Sequence, residues 1–68
     1  MKRLHDYLDE SWIRVTCKNG HVYEGRPISV EYADETETGE EEITIENEKM
    51  EWPIIGFALS EIASIEVI

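Results

Sequence analysis

A lone cysteine, Cys17, leaves no internal disulfide framework for this chain. That usage fits a reducing, cytoplasmic setting. No apolar run approaches the roughly 18 residues of a membrane-spanning helix. The two basic residues near the N-terminus, Lys2 and Arg3, lead into no apolar core, so neither a membrane anchor nor a secretion signal is expected. Bases are scarce: six lysines and arginines face sixteen acids, for a net charge of −10. Nucleic-acid binding normally rests on cations that displace counterions from phosphate, and this chain as a whole repels phosphate. No glycine-rich phosphate loop, serine elbow or zinc-type spacing occurs. Catalytic residues, cofactors and metal ligands are therefore assigned to none of its positions, and an enzyme is not expected.

What is present reads as one small domain over residues 1–68, near the lower size limit for a chain that folds without help. Its organising stretch is Ile13 to Tyr32. Ile13, Val15 and Cys17 alternate onto one face of a first strand. Lys18-Asn19-Gly20 follows, and Asn-Gly between alternating runs is the strongest short hairpin signal, with both turn positions at φ > 0. Val22, Ile28, Val30 and Tyr32 fall on one face of a second strand. Gly25 and Pro27 interrupt it, as at a barrel corner.

Before this hairpin, Met1 to Glu10 reads as a short helix with a narrow stripe of Leu4, Tyr7 and Leu8. Its basic start and acidic end oppose the helix dipole, and a helix this short is marginal in water, so docking on the strands must hold it. After the hairpin, Ala33 to Glu42 is an acidic loop. Ile43-Thr44-Ile45 resumes period two as a third strand. Asn47 to Pro53 connects, unusually apolar at Met50 and Trp52. Ile54 to Leu59 is a fourth strand, apolar on both faces and interrupted by Gly56. Ser60-Glu61-Ile62 turns, and Ile65 to Ile68 is a fifth strand. The expected class is mostly β: a short N-terminal α-helix, then a strongly bent five-stranded antiparallel barrel, closed because closure removes exposed edges.

Single residues with chemical promise have plainer readings. From Asp34 the loop begins Asp-x-Thr-x-Thr-Gly, as an EF-hand loop does. The twelfth place is Ile45 rather than a bidentate Glu, so a solvated loop is expected instead of a calcium site. His5 and His21 have no second ligand at useful spacing. Cys17 is read as a buried core thiol. Trp12, off the Ile13–Val15–Cys17 face, is expected to pack under the helix or at a subunit contact.

Taken together, Φ-x-Φ-x-Φ-Lys-Asn-Gly-x-Val-Tyr-x-Gly-x-x-Ile-x-Val, from Ile13 to Val30, resembles the first Sm motif. The ending Ile55-Gly-Phe-Ala-Leu-Ser-Glu-Ile-Ala-Ser-Ile-Glu-Val-Ile resembles that of small, uncharacterised bacterial Sm-like (LSm) proteins. The resemblance implies a helix-capped barrel and a ring built by pairing the fourth strand of one subunit with the fifth of the next. It also implies single-stranded RNA at the ring's centre in many relatives. This chain departs from the family where RNA is held. The loop after the second strand carries acids instead of an Asp-x-x-Asn-like element, and Ser60-Glu61 stands where an Arg-Gly pair is usual.

Two functions follow from the sequence. One is a non-enzymatic, ring-forming Sm-like scaffold whose acidic surface meets a basic protein or peptide. The other is an RNA-binding Sm-like protein using Lys2, Arg3, Arg14, Lys18 and Arg26, which the net charge disfavours. The expected subunit contacts are Ile54, Ile55, Phe57 and Leu59 on the fourth strand with Ile65, Val67 and Ile68 on the fifth. A small barrel has one interior, which cannot cover both faces of both strands. The acids expected to meet a basic partner are Asp34, Glu35, Glu37, Glu40, Glu41 and Glu42.

Overall fold

The computed structural model describes residues 3–68. Five strands follow in order: β1 (Ile13–Cys17), β2 (Val22–Glu31), β3 (Glu42–Glu46), β4 (Ile54–Ala58) and β5 (Ile62–Val67). They form one antiparallel sheet in the order β4-β3-β2-β1-β5. The first three strands start and end close to where residue alternation puts them. β5 begins earlier than expected, because Cys17 pairs with Ile62 across a bulge that leaves Ala63 as the extra residue.

The N-terminal helix does not form among the described residues. A single 3-10 turn, Leu4–Tyr7, takes its place. The weak length and the unfavourable charge order explain this. Two residues of the apolar stripe still dock, Leu4 buried and Tyr7 packed against the core, while Leu8 is half-buried outside it. Two further 3-10 turns, Ala33–Glu35 and Leu59–Glu61, lie in the connections.

The hairpin forms with a different turn. The Gly20 N–H donates to the Cys17 carbonyl at 2.9 Å, and the Cys17 N–H donates to the His21 carbonyl at 2.8 Å. Gly20 has φ +92°, while no described non-glycine residue has positive φ. The loop therefore has three residues, Lys18-Asn19-Gly20, with only the glycine in the left-handed region. Asn19 serves instead through its side chain, whose Oδ1 accepts the His21 N–H at 3.0 Å.

β2 serves two ladders in turn. Its residues from Val22 to Gly25 pair with β1, and those from Arg26 to Glu31 pair with β3. Between Pro27 and Ser29 the register shifts, so Ile28 is the extra residue of a bulge. A bulge changes which face the following residues take. The expectation that Val22, Ile28, Val30 and Tyr32 share a core face is corrected accordingly. Before the bulge the inward residues are Tyr23, Gly25 and Pro27, and after it Val30, while Val22, Ile28 and Tyr32 are exposed.

The sheet is open, in place of the expected closed barrel, because β4 and β5 form its two edges without a ladder between them. It is nonetheless curled. In a flat sheet the two edges would stand four strand spacings apart, roughly 19 Å. The chain passes from Ala58 to Ile62 through three residues, a reach of at most about 14 Å. Only a sheet rolled towards closure satisfies both. Inside the roll lie Leu4, Ile13, Val15, Cys17, Ile43, Ile45 and Phe57, with Ile13, Val15, Ile43 and Ile45 fully buried. Burial of each such side chain contributes about 1.5–3 kcal/mol.

Gly25 sits where β2 changes partner. Its need is space: a Cβ there would lie 2.6 Å from the Glu46 carbonyl oxygen, a backbone atom. Gly25→Ala is expected to lower stability by about 1–3 kcal/mol, as overpacking does, and Gly25→Val by more. Urea denaturation followed by circular dichroism measures this; unchanged midpoints would remove the close approach as a determinant of the fold.

Cys17 is buried as expected. Burial, and secondarily the negative charge of Glu61, push its thiol above its ordinary value of 9.0. Only the thiolate is nucleophilic, so iodoacetamide at pH 8 should label native protein far more slowly than urea-unfolded protein. The raised value also sets a pH dependence. The contribution is whole below pH 9.0 and falls as pH climbs past it, because the unfolded thiol ionises first. Cys17→Ala should flatten this alkaline loss in urea midpoints taken from pH 7 to 10.

Candidate functional site

The residues expected at subunit contacts gather on the two open edges. Ile54, Leu59, Val67 and Ile68 are exposed, at 63 %, 48 %, 50 % and 56 % of their surface. Ile55 and Ile65 are half-buried against the core, and Phe57 is buried within it. Phe57 therefore contributes to its own subunit's interior, stacked at a tilt on Tyr23 with ring centroids 5.2 Å apart. Trp52, which sequence reasoning left in a connection, is the most exposed large apolar side chain among the described residues. It lines a groove with Val22, Tyr23 and Met50. The only signal for it was apolar side chains in a loop.

Backbone hydrogen bonds show which edge groups are free. The Asn47 N–H donates to the Pro53 carbonyl at 2.8 Å, and the Leu59 N–H to the Glu41 carbonyl at 2.9 Å. Antiparallel pairs alternate, so the odd residues of β4 bond to β3 and Ile54, Gly56 and Ala58 turn their backbone groups outward. The Ala58 N–H is already taken by the Glu61 carboxylate at 3.0 Å. On the other edge, the Ile68 N–H donates to the Trp12 carbonyl at 3.2 Å. By the same alternation, β5 turns the backbone groups of Ile65 and Val67 outward. Side-chain faces differ between the edges. Ile65 and Val67 lie opposite Val15 and Ile13 and so face the core side, where Val67 is left half-open. Ile54 lies opposite Glu46, on the outer side.

Hydrogen bonds run through the acidic loop and tie it to the turn after β4. Thr36 Oγ1 donates to the Glu40 carbonyl at 2.8 Å and accepts the Gly39 N–H at 3.1 Å. The Glu40 carboxylate accepts both the Ser60 N–H, at 2.9 Å, and the Ser60 hydroxyl, at 3.0 Å. Glu35 accepts the Tyr32 N–H and Glu42 the Thr38 hydroxyl. Asp34, Glu35 and Glu37 are exposed, whereas Glu40, Glu41 and Glu42 are half-buried. By exposure the six acids divide into an outer set, Asp34, Glu35 and Glu37, and an inner set, Glu40, Glu41 and Glu42, of which the carboxylates of Glu40 and Glu42 are hydrogen-bonded. A shallow cleft floored by Tyr32 and Leu59 lies between them. Among the described residues no three histidine, cysteine or carboxylate groups gather as metal ligands.

The bases named for RNA are placed differently. Arg14 Nε contacts the Glu24 carboxylate at 2.7 Å, with Glu66 on its other side at 3.7 Å. Arg26 is paired with Glu46. Arg3 and Lys18 are exposed, and Lys2 lies outside the described residues. Trp12 is half-buried and lines a cleft with Arg26, Glu46 and Asn47. His5 stacks on Tyr32 with centroids 4.1 Å apart, and His21 is a surface residue whose ring meets the Tyr23 hydroxyl at 3.3 Å.

Among the described residues no helix is long and apolar enough to cross a membrane. Comparisons with protein-family models, with curated proteins and with solved structures found no match.

Proposed function

We propose that this chain is a non-enzymatic, Sm-like scaffold of the cytoplasm. Copies join edge to edge, β4 of one to β5 of the next, and the assembly presents its acidic loops to a basic protein or peptide. The observation that carries the reading is the pair of unladdered edges, each bearing exposed aliphatic side chains. Such edges are aggregation hazards unless paired. A head-to-tail contact of two different edges closes into a ring when its rotation allows. The outer acids Asp34, Glu35 and Glu37 then stand on the surface with no base in their loop, a charge pattern that steers cationic partners.

Assembly works against ten units of net negative charge per subunit. Screening over about 8 Å at physiological salt limits that cost. Light scattering coupled to size exclusion should give a closed multiple of the 7.9 kDa subunit, loosening at low ionic strength. A stable monomer at micromolar concentration and about 150 mM salt overturns the scaffold reading.

RNA binding has less support, because Arg14 and Arg26 are both occupied by carboxylates. Fluorescence anisotropy with single-stranded homopolymers should show only weak, non-specific binding, with Kd above roughly 1 μM at physiological salt. Submicromolar affinity that falls steeply with salt would instead make this an RNA-binding protein.

A further inference from the structure

We propose that the groove beside the β1–β2 hairpin, walled by Val22, Tyr23, Met50 and Trp52, holds an arginine-bearing segment of a protein partner. This rests on the basic-partner half of the reading above. It adds where that partner is gripped. The place shares no residue with the cleft of the acidic loop, and none with β4 or β5.

Both walls of the groove are tied down. One wall is the start of β2. Tyr23 there packs against the core and on Phe57, and its hydroxyl meets the His21 ring at 3.3 Å. The other wall is the loop 47–53, drawn closed by Asn47. The Asn47 N–H donates to the Pro53 carbonyl at 2.8 Å, and the Asn47 carbonyl accepts the Met50 N–H at 3.0 Å. Asn47 Oδ1 accepts the Lys49 N–H at 3.0 Å, and Asn47 Nδ2 donates to the Glu24 carbonyl of β2 at 2.9 Å. Met50 packs against the core and anchors the loop from below. Trp52 is left 67 % exposed and Val22 52 % exposed, both lining a cavity of about 600 Å³. That volume is in the range of ligand sites, roughly 300–1,000 Å³. An exposed tryptophan on a tied loop has little order left to gain on binding. Aromatic anchors of this kind dominate interfaces.

Charge selects the occupant. Two carboxylates, Glu24 and Glu51, line the groove with the aromatic rings. Glu24 already accepts Arg14 Nε at 2.7 Å. Glu51 is exposed and has no hydrogen-bond or ion-pair partner among the described residues. Lys49, the one base of the loop, lines the separate cleft at Trp12. His21 is the one lining side chain able to carry positive charge, and its ring is engaged with Tyr23. Faces of tryptophan and tyrosine rings attract cations, guanidinium most often. An arginine fits this combination. Its planar head stacks on an aromatic face and its stem covers apolar wall, while its charge meets the unpaired Glu51 carboxylate. A nucleic acid would bring phosphate against the same carboxylates. A second copy in a symmetric contact would set one unpaired Glu51 against another.

Fluorescence anisotropy with a short labelled peptide alternating arginine and leucine tests this on the full chain, at about 150 mM salt. The unaltered protein is expected to bind the peptide. Trp52→Ala should weaken binding roughly tenfold, and Val22→Ser, on the other wall, should weaken it too. Glu51→Gln should flatten the salt dependence of binding, as loss of a rim charge does. Both wall positions are exposed, so urea midpoints of the variants should stay close to that of the unaltered protein. Equal binding of a peptide with glutamate in place of arginine overturns the proposal. Binding that survives both Trp52→Ala and Val22→Ser overturns it as well. If that binding is lost when Asp34, Glu35 and Glu37 are replaced together by their amides, the acidic loop is the docking surface and the groove is not. A lower oligomer mass for Trp52→Ala, measured by light scattering, makes the groove a contact between copies and also overturns it. No binding to the unaltered protein overturns both the groove and the basic-partner reading, and leaves edge-to-edge assembly to be judged by mass alone.

Discussion

The fold depends on one close approach. At Gly25 the backbone of β2 leaves β1 and takes up β3, and the Glu46 carbonyl comes so near that a methyl group has no room. Without that crossing, β2 would be a straight strand in a flat sheet. With it, β2 bends, the two halves of the sheet fold over one another, and four aliphatic side chains from β1 and β3 become fully buried between them. Arg26, the next residue, is tied to Glu46 by an ion pair across the same crossing. That pair is exposed and worth little in energy. It marks the register of the second ladder rather than holding it.

The roll does not close between β4 and β5. The connection between the two edges is one 3-10 turn, and Glu61 within it caps the Ala58 N–H. The last outward donor of β4 is thereby spent on its own chain. The turn is short enough to hold the edges near each other at one end. Toward the other end, the exposed Ile54 and Val67 face solvent instead of each other. A chain of 68 residues has little core to spare, and leaving these aliphatic groups uncovered costs it a sizeable share of the apolar burial open to it. Under the proposed edge-to-edge assembly, pairing between copies would remove that cost without any change of fold.

Much of this was legible in the residues. Strict alternation at Ile13, Val15 and Cys17, and again at Ile43 and Ile45, marked strands whose inward faces are those expected. Gly20 marked the hairpin, though the turn has three residues because only the glycine takes positive φ. The second strand was misread at Val22, Ile28 and Tyr32, which are exposed, and rightly read at Val30, which is inward. A bulge at Ile28 reverses the phase, and a pattern of period two cannot show an inserted residue. The helix was overread from three apolar positions, of which Leu4 and Tyr7 reach the core from a single turn. The role of Gly25 was legible as an interruption but not as a steric requirement, since its neighbour Glu46 lies 21 positions on in sequence. Of the candidate surface, the acids were plain from composition. Their division into outer and inner sets was not, because it arises from bonds to Thr36 and Ser60.

Those bonds link the two candidate surfaces. Ser60 lies in the turn that joins β4 to β5, and both its N–H and its hydroxyl are held by Glu40 of the acidic loop. The neighbouring Leu59 N–H is held by the Glu41 carbonyl. The segment that joins the two edges is thus clamped by the acidic loop. A cationic partner bound to Asp34, Glu35 and Glu37 leaves this clamp intact, because those carboxylates are not part of it. One that draws Glu40 away must break two charge-assisted hydrogen bonds, each stronger than a neutral one. It would also loosen the connection on which both edges depend. The outer acids Asp34, Glu35 and Glu37 therefore carry charge on the loop surface without taking part in the clamp on the turn between β4 and β5.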